Sequence, residues 1–270
     1  MSLESDQLRY YFRMNKDAWD KKTPVHFAST LYNVDNVKKG GTSLNKIEID
    51  DLGDVSNKRI LHLQCHFGLD SISLTKMGAE VLGVDFSSKA IEQARKFAKE
   101  LNAPTRFLVA NIYDLDKIEE EFDIVFCSYG CICWFPDLDK WAKGISKMMA
   151  KKAFFYIVDF HPLLHTLDCL LSETRRSYFY SDKPFKIEWH GTYADYNSNL
   201  ETIEYNWNHS IAEIMRSLKN NGLKINDFQE YPYLPKEWFP NLVKGEDGLF
   251  RVKGYEDIYP LLFSIKATKI

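Results

Sequence analysis

Residues 60–68, Ile-Leu-His-Leu-Gln-Cys-His-Phe-Gly, carry an apolar run into a tight turn that closes on Gly68. A strand feeding such a turn brings backbone amides and the N-terminus of the next helix close to a nucleotide-like ligand. An acid at the tip of the following strand then meets ribose hydroxyls, and Asp85 stands about twenty residues on, where that geometry wants it. The same two features also fit a generic tight turn and an exposed aspartate ahead of a helix cap. His62, Cys65, His66, Cys131 and Cys133 bear zinc-type donors. Zinc ligands usually pair about two to four residues apart, however, and a single isoleucine separates Cys131 from Cys133. Small buried thiols explain these cysteines, and no metal is expected. His190 and His209 read first as surface or supporting residues.

The elements that must position the turn and the acid are legible as alternating apolar runs and helical periods from Arg59 onward, the pattern of βαβ units. Strands are expected at residues 60–63, 79–86, 106–110, 122–128 and 154–160. A short helix through Ile72, Leu74 and Met77 ends at Gly78. A second, capped by Ser87 or Ser88, carries Ala90, Ile91, Ala94, Phe97, Ala98 and Leu101 on one face, and a third runs through Trp141 and Ile145. Strict alternation makes a doubly wound, mostly parallel sheet the simplest architecture, with its ligand crevice at the carboxyl ends of the strands. The first fifty residues, with Tyr10, Tyr11, Met14 and Trp19 on an amphipathic stretch and a break at Gly40-Gly41, read as helices outside that sheet and as a lid. Beyond Pro162 two aromatic runs, residues 185–196 and 202–207, are expected to pair as a hairpin covering an acceptor. A helix through Ile214 and Leu218, a strand near 225–228 and a last strand over 261–268 complete a seven-stranded sheet. Residues 232–254 form an excursion of unassigned shape.

The 270 residues are 45% hydrophobic and 27% charged, which argues against disorder and against a membrane protein. No run of about 18 apolar residues is present, and the N-terminus lacks a signal-peptide pattern, so a cytoplasmic location without a membrane partner is expected. Lys and Arg number 35 against 38 Asp and Glu, for a net charge of −3. That balance gives no electrostatic case for nucleic acid. Five cysteines, at 65, 127, 131, 133 and 169, lack the spacing of a disulfide framework and are expected to be reduced.

In order and content these segments resemble class I S-adenosylmethionine-dependent methyltransferases, which are Rossmann-like. Residues 60–68 are similar to that family's first motif in a degenerate form. His62 stands where an acid is common, Gln64 and His66 take two usual glycine positions, and Gly68 keeps its glycine. Residues 81–87, Val-Leu-Gly-Val-Asp-Phe-Ser, look like the second motif, Ala110-Asn111-Ile112 like the adenine-facing segment, and 122–128 like the fourth strand. Trp134-Phe135-Pro136-Asp137-Leu138, Asp159-Phe160-His161-Pro162 and Gly191-Thr192-Tyr193 resemble an uncharacterised bacterial branch of the family with a glutamine in the first turn.

The resemblance implies one methyltransferase domain over 1–270, with a lid (1–55), a cofactor-binding core (56–162), an insertion over the acceptor site (163–208) and completion of the sheet (209–270). It implies S-adenosylmethionine held by Gln64, Gly68, Asp85, Phe86, Asn111, Ile112 and Ser128, and a methyl group passed to a small molecule. Such a transfer is an in-line displacement that positioning can accelerate, worth on the order of 7 to 11 kcal/mol. If the acceptor must lose a proton, Tyr129, Asp159 and His161 are the candidate bases near strand ends. Tyr10, Trp19, Tyr129 or Trp134 could face the sulfonium cation. Two alternatives stand beside this reading: a non-catalytic module that keeps the fold, and a nicotinamide-dependent oxidoreductase, disfavoured because its pyrophosphate turn wants three glycines.

Overall fold

A computed structural model of the chain describes residues 5–168, 171 and 173–270; Cys169 lies outside them. Helices α1 (Ser5–Ala28), α2 (Val34–Lys38) and α3 (Lys46–Leu52) precede an alternating core. That core runs β1 (Arg59–Leu63), α4 (Leu69–Lys76), β2 (Glu80–Asp85), α5 (Ser88–Glu100), β3 (Arg106–Val109), β4 (Phe122–Ser128), α6 (Leu138–Met148) and β5 (Met149–Phe160). A hairpin of β6 (Phe185–His190) and β7 (Glu201–Asn206) follows, then α7 (Ile211–Asn220) and β8 (Leu223–Tyr231). A small hairpin, β9 (Leu242–Lys244) with β10 (Phe250–Val252), comes before the final strand, β11 (Leu262–Lys269).

The seven-stranded sheet has the order β3-β2-β1-β4-β5-β11-β8. Its first five strands are parallel, and β11 runs antiparallel to both neighbours. The chain leaves β1 toward β2 on one side, whereas β4 lies on the other, so strand order reverses at β1. A crevice opens at the carboxyl ends at such a switch point. Central strands read as unbroken apolar runs because both their faces are covered. On β1, Leu61 and Leu63 join the core under α6 and α7, with Trp141, Ile145 and Ile214, while Ile60 joins the opposite core with Leu74, Phe126 and Tyr156.

Caps fix where the helices begin. Ser87 accepts from the Ala90 amide at 3.0 Å and starts α5, whose Ala90, Ile91, Ala94, Phe97 and Ala98 are buried. Asp137 does the same for α6 through Lys140. Strand β8 is longer than expected from residues 225–228, because its burial is partial and its polar residues hide the apolar alternation, yet it pairs with β11 along its length. The 232–254 excursion contains the β9–β10 hairpin.

Helix α1 is fastened across the crevice by polar contacts at both its sides. The Asn15 side chain pairs with the backbone of Tyr205 on β7, donating to its carbonyl at 2.8 Å and accepting from its amide at 2.7 Å, as a neighbouring strand would. Asp20 accepts from the Ser87 hydroxyl at 2.6 Å and the Lys89 amide at 3.1 Å at the start of α5. Lys22 is ion-paired with Glu204 of β7, and both are almost wholly buried. No helix among the described residues is long and apolar enough to cross a membrane.

Candidate active site

The turn after β1 visits the left-handed region three times in five residues, at Gln64 (φ 53°), His66 (φ 52°) and Gly68 (φ 80°). Glycine adopts that backbone freely, whereas each other residue costs roughly 1–2 kcal/mol. Strain of this kind persists where surrounding contacts over-determine it. Gln64 donates to the Cys131 carbonyl at 3.0 Å, tying this turn to the one after β4. The His66 ring rises into an aromatic cluster, with centroids 5.1 Å from Trp19, 5.3 Å from His26 and 5.4 Å from Tyr32. Gly68 has no such freedom to change: a Cβ there would lie 2.6 Å from the Phe107 ring. Gly68→Ala therefore combines backbone strain with overpacking and is expected to cost about 3 kcal/mol of stability in urea unfolding.

Asp85 closes β2 with 8% exposure. Its carboxylate accepts from the His66 amide at 2.9 Å and the Ser87 amide at 2.8 Å. Burial pushes its pKa up to about 6 against the pull of those amides. Gln64, Gly68, Asp85, Phe86 and Ser128 all line one cavity of about 520 Å³ over the carboxyl ends of β1, β2 and β4. Asn111 and Ile112 lie instead at an adjoining void of about 40 Å³, which shares Gln64, Asp85, Phe86 and Trp134 with the larger space. Asn111 spends its side-chain oxygen on the Tyr113 amide, 2.9 Å away. Four buried polar atoms of cavity-lining residues make no hydrogen bond: Gln64 Oε1, His62 Nε2 and His66 Nε2 at the end of β1, and Asn206 Nδ2 on β7. Burial, and for His66 also the charge of Lys22, holds these two histidines neutral, at pKa values of about 4 and about 3. Unpaired buried polar atoms are rare enough to mark where a ligand completes the structure.

Of the three candidate bases only Tyr129 lines the cavity. Its backbone is left-handed (φ 48°), and its hydroxyl donates to Glu48 at 2.8 Å while accepting from Asn45 at 3.0 Å. Asp159 is not a free base. Its carboxylate accepts from the backbone amides of Gly130, Cys131 (2.9 Å), Ile132 (2.9 Å) and Phe160 (2.7 Å), so it anchors the turn that carries Tyr129. His161 faces away, with Nδ1 accepting from the Leu163 amide at 3.1 Å and Nε2 2.9 Å from Glu230. Trp19 and Trp134 line the cavity, but Tyr10 does not: it is 41% exposed and packs on Tyr205. His190 lies at the surface beside Glu201, and His209 is buried against the Phe135 carbonyl. Among the described residues no three His, Cys, Asp or Glu side chains converge as for a metal.

Three residues of this site carry no signal that sequence reasoning used. Lys22 and Glu204 line the cavity as a buried ion pair, with Glu204 also accepting from the Trp189 indole at 3.0 Å. Glu48, fully buried behind Tyr129, is the third. The alternation Thr202, Glu204, Asn206 was available as a clue, because in β7 this polar face is the buried one.

Comparison with known proteins places this geometry. A family model described as a methyltransferase domain matches residues 60–152. The ubiquinone biosynthesis O-methyltransferase of Pelagibacter ubique is 25% identical over 246 residues, covering 88% of this chain and 92% of that one. The protein of the same description from Alkalilimnicola ehrlichii is 35% identical over 77 residues, covering 28% of this chain and 31% of its own. Among solved structures, an S-adenosylmethionine-dependent methyltransferase of Mesorhizobium loti aligns with a TM-score of 0.55 at 16% identity, over 82% of this chain and 97% of that one. Magnesium protoporphyrin IX methyltransferase of Synechocystis aligns with a TM-score of 0.54 at 13% identity, over the whole of both chains. Residues 60–152 thus match a methyltransferase domain, and the chain has the fold of the S-adenosylmethionine-dependent methyltransferases it aligns with.

Proposed function

We propose that the chain transfers a methyl group from S-adenosylmethionine to the hydroxyl of a small molecule, with both ligands housed in the 520 Å³ cavity. The observation that carries this reading is the set of unpartnered cavity atoms, Gln64 Oε1, His62 Nε2 and His66 Nε2, at the carboxyl end of β1. A methionine tail with its ammonium donors fits that set, and Asp85 fits two ribose hydroxyls. Gln64, Gly68, Asp85, Phe86 and Ser128 would hold the cofactor along the strand ends, with Asn111 and Ile112 flanking the adenine in the smaller void. When bound, the cofactor supplies an electrophilic methyl group on a cationic sulfur. The chain's part is to hold the partners in line, to exclude water, and to face the cation with the rings of Trp19 and Trp134. Residues 1–55 and 163–208 would act as covers, with an acceptor chamber walled by Trp189, Tyr193, Trp238 and Phe239. Aromatic walls interspersed with charged side chains such as Lys22, Glu204, Arg175 and Lys236 are of the kind that takes a small aromatic molecule with polar substituents. The relatives of 25% identity named as ubiquinone biosynthesis O-methyltransferases support an oxygen acceptor.

Calorimetric titration with S-adenosylhomocysteine tests the cofactor assignment, with a nicotinamide dinucleotide as control. Saturable binding of the first alone is expected. Asp85→Ala should weaken it at least tenfold, and an unchanged affinity removes Asp85 from the site. The pH dependence has a definite sign. Hydroxyls that donate to Asp85 favour its ionised form, so binding drives off the proton the buried carboxyl carries below about pH 6. Affinity for S-adenosylhomocysteine should therefore be level above that value and fall toward tenfold per unit below it, and Asp85→Ala should abolish that dependence.

A further inference from the structure

Behind the cavity wall lies a polar group that the methyl-transfer reading does not use. Glu48 is fully buried on α3, and its two oxygens have different partners. Oε1 takes the Asn45 amide at 3.3 Å and the Asn45 side chain at 3.0 Å, which is the capping box that starts α3. Capping accounts for that oxygen alone. Oε2 receives the Tyr129 hydroxyl, at 2.8 Å. Asn45 also donates to the Tyr129 oxygen at 3.0 Å, so the phenol is fixed in direction with its proton aimed at Glu48. Tyr129 itself reaches this position through a left-handed backbone that three amide bonds to Asp159, from Gly130, Cys131 and Ile132, hold in place on its C-terminal side.

We propose that Tyr129 and Glu48 form a relay that removes the proton of an acceptor hydroxyl, with Tyr129 touching the acceptor and Glu48 acting through it. The inference rests on the methyl-transfer reading above. As the acceptor oxygen forms its bond to the methyl carbon, the carbon–sulfur pair stays with sulfur. The hydroxyl proton passes to Tyr129 Oη, and the proton of Tyr129 passes to Glu48 Oε2, so the proton leaves the chamber as the methyl group is transferred. Such a relay suits a phenol or enol. A neutral amine attacks with its own lone pair, and a thiol ionises near neutrality unaided, whereas a phenol with a pKa near 10 does not. Burial and the nearby charge of Asp70 on α4 raise the Glu48 carboxyl to about 7, so it is ionised and able to accept just above neutrality. The other titratable groups facing it are Tyr129 and, from β5, Tyr156, whose hydroxyl donates to Asp51 at 2.7 Å.

The test uses the full chain saturated with S-adenosylhomocysteine and 4-cyanophenol as the probe, buffered between the value of the Glu48 carboxyl and the pKa of the free phenol. The probe is expected to bind as its phenolate, read by absorbance, with a protonated-carboxyl infrared band appearing at the same occupancy. Glu48→Gln keeps the cap and the contact to Tyr129 but cannot take a proton. Its bound phenolate fraction should fall about tenfold, a change of about one pKa unit. Tyr129→Phe should reproduce that loss and serves if Glu48→Gln fails to fold. A neutral bound probe in the wild type, an unchanged phenolate fraction in both variants, or no saturable probe binding overturns the relay. Calorimetry with S-adenosylhomocysteine on the same samples separates the two readings: normal cofactor binding without a phenolate signal sinks the relay alone, and absent cofactor binding sinks methyl transfer with it.

Discussion

Asp159→Ala should destabilise the protein by about 4 kcal/mol, the largest single loss expected from any residue near the cavity that does not line it. The carboxylate is 2% exposed and collects the amides of Gly130, Cys131, Ile132 and Phe160. Removing it leaves several buried donors without a partner, each costing about 1–3 kcal/mol, less what local rearrangement and entering water recover. Other bonds hold the same turn, from Gln64 to the Cys131 carbonyl, from the Trp134 indole to the Gly130 carbonyl at 2.6 Å, and from the Trp207 amide to the Cys133 carbonyl at 2.8 Å, and they limit how far it can rearrange to rescue those amides. Chemical unfolding monitored by tryptophan fluorescence checks the prediction, and a loss below about 1 kcal/mol would mean that water replaces the carboxylate. Asp159→Asn should fall between, because one of its two polar atoms is a donor facing donors. A catalytic base would behave differently, with activity abolished and stability little changed.

That contrast shows where the sequence stops being informative. The alternation of strands and helices, the acid at the end of β2 and the β6–β7 hairpin were legible because each follows from local periodicity: buried parallel strands are continuous apolar runs, and Ser87 marks a helix start. Asp159 and His161 were legible as ionisable groups at a strand end, but not as occupied ones. Whether a carboxylate is free depends on which loop folds back on it, and here the loop comes from 28 residues earlier in the chain. Glu48 was hidden for the related reason that its partner Tyr129 lies 81 residues away, while locally it looks like an ordinary capping glutamate. The departures from glycine at Gln64 and His66 were visible as departures only. That one side chain bridges two turns and the other fills the space beneath α1 follows from three-dimensional neighbours that no spacing encodes.

The pair Lys22 and Glu204 was hidden most completely, because charged residues on a helix and a hairpin are ordinarily assigned to water. Lys22→Met should cost about 3–5 kcal/mol, since it leaves Glu204 buried with only the Trp189 indole as donor. Glu204→Gln alone should cost a similar amount by stranding the ammonium, which otherwise sits among the rings of Trp19, Trp189 and Tyr193 at 5.0 to 6.0 Å. The double variant should cost only about 1 kcal/mol, because two neutral side chains of similar size carry no stranded charge and glutamine keeps the bond from Trp189. A coupling of about 5 kcal/mol or more is thus expected, and additive single effects would show that the pair is worth no more than its separate contacts. The consequence for function follows from position. The pair joins α1 to β7 across the cavity, with the Asn15 bonds to Tyr205 on one side and Asp20 at the start of α5 on the other. Breaking it should let α1 lift locally without unfolding the sheet, so hydrogen exchange in α1 should rise about a hundredfold in Lys22→Met, at about 1.4 kcal/mol per tenfold, while exchange in β1 and β4 follows global stability. Saturation with S-adenosylhomocysteine should reverse part of that rise, because a ligand enclosed by α1 binds only the closed arrangement and stabilises it by mass action.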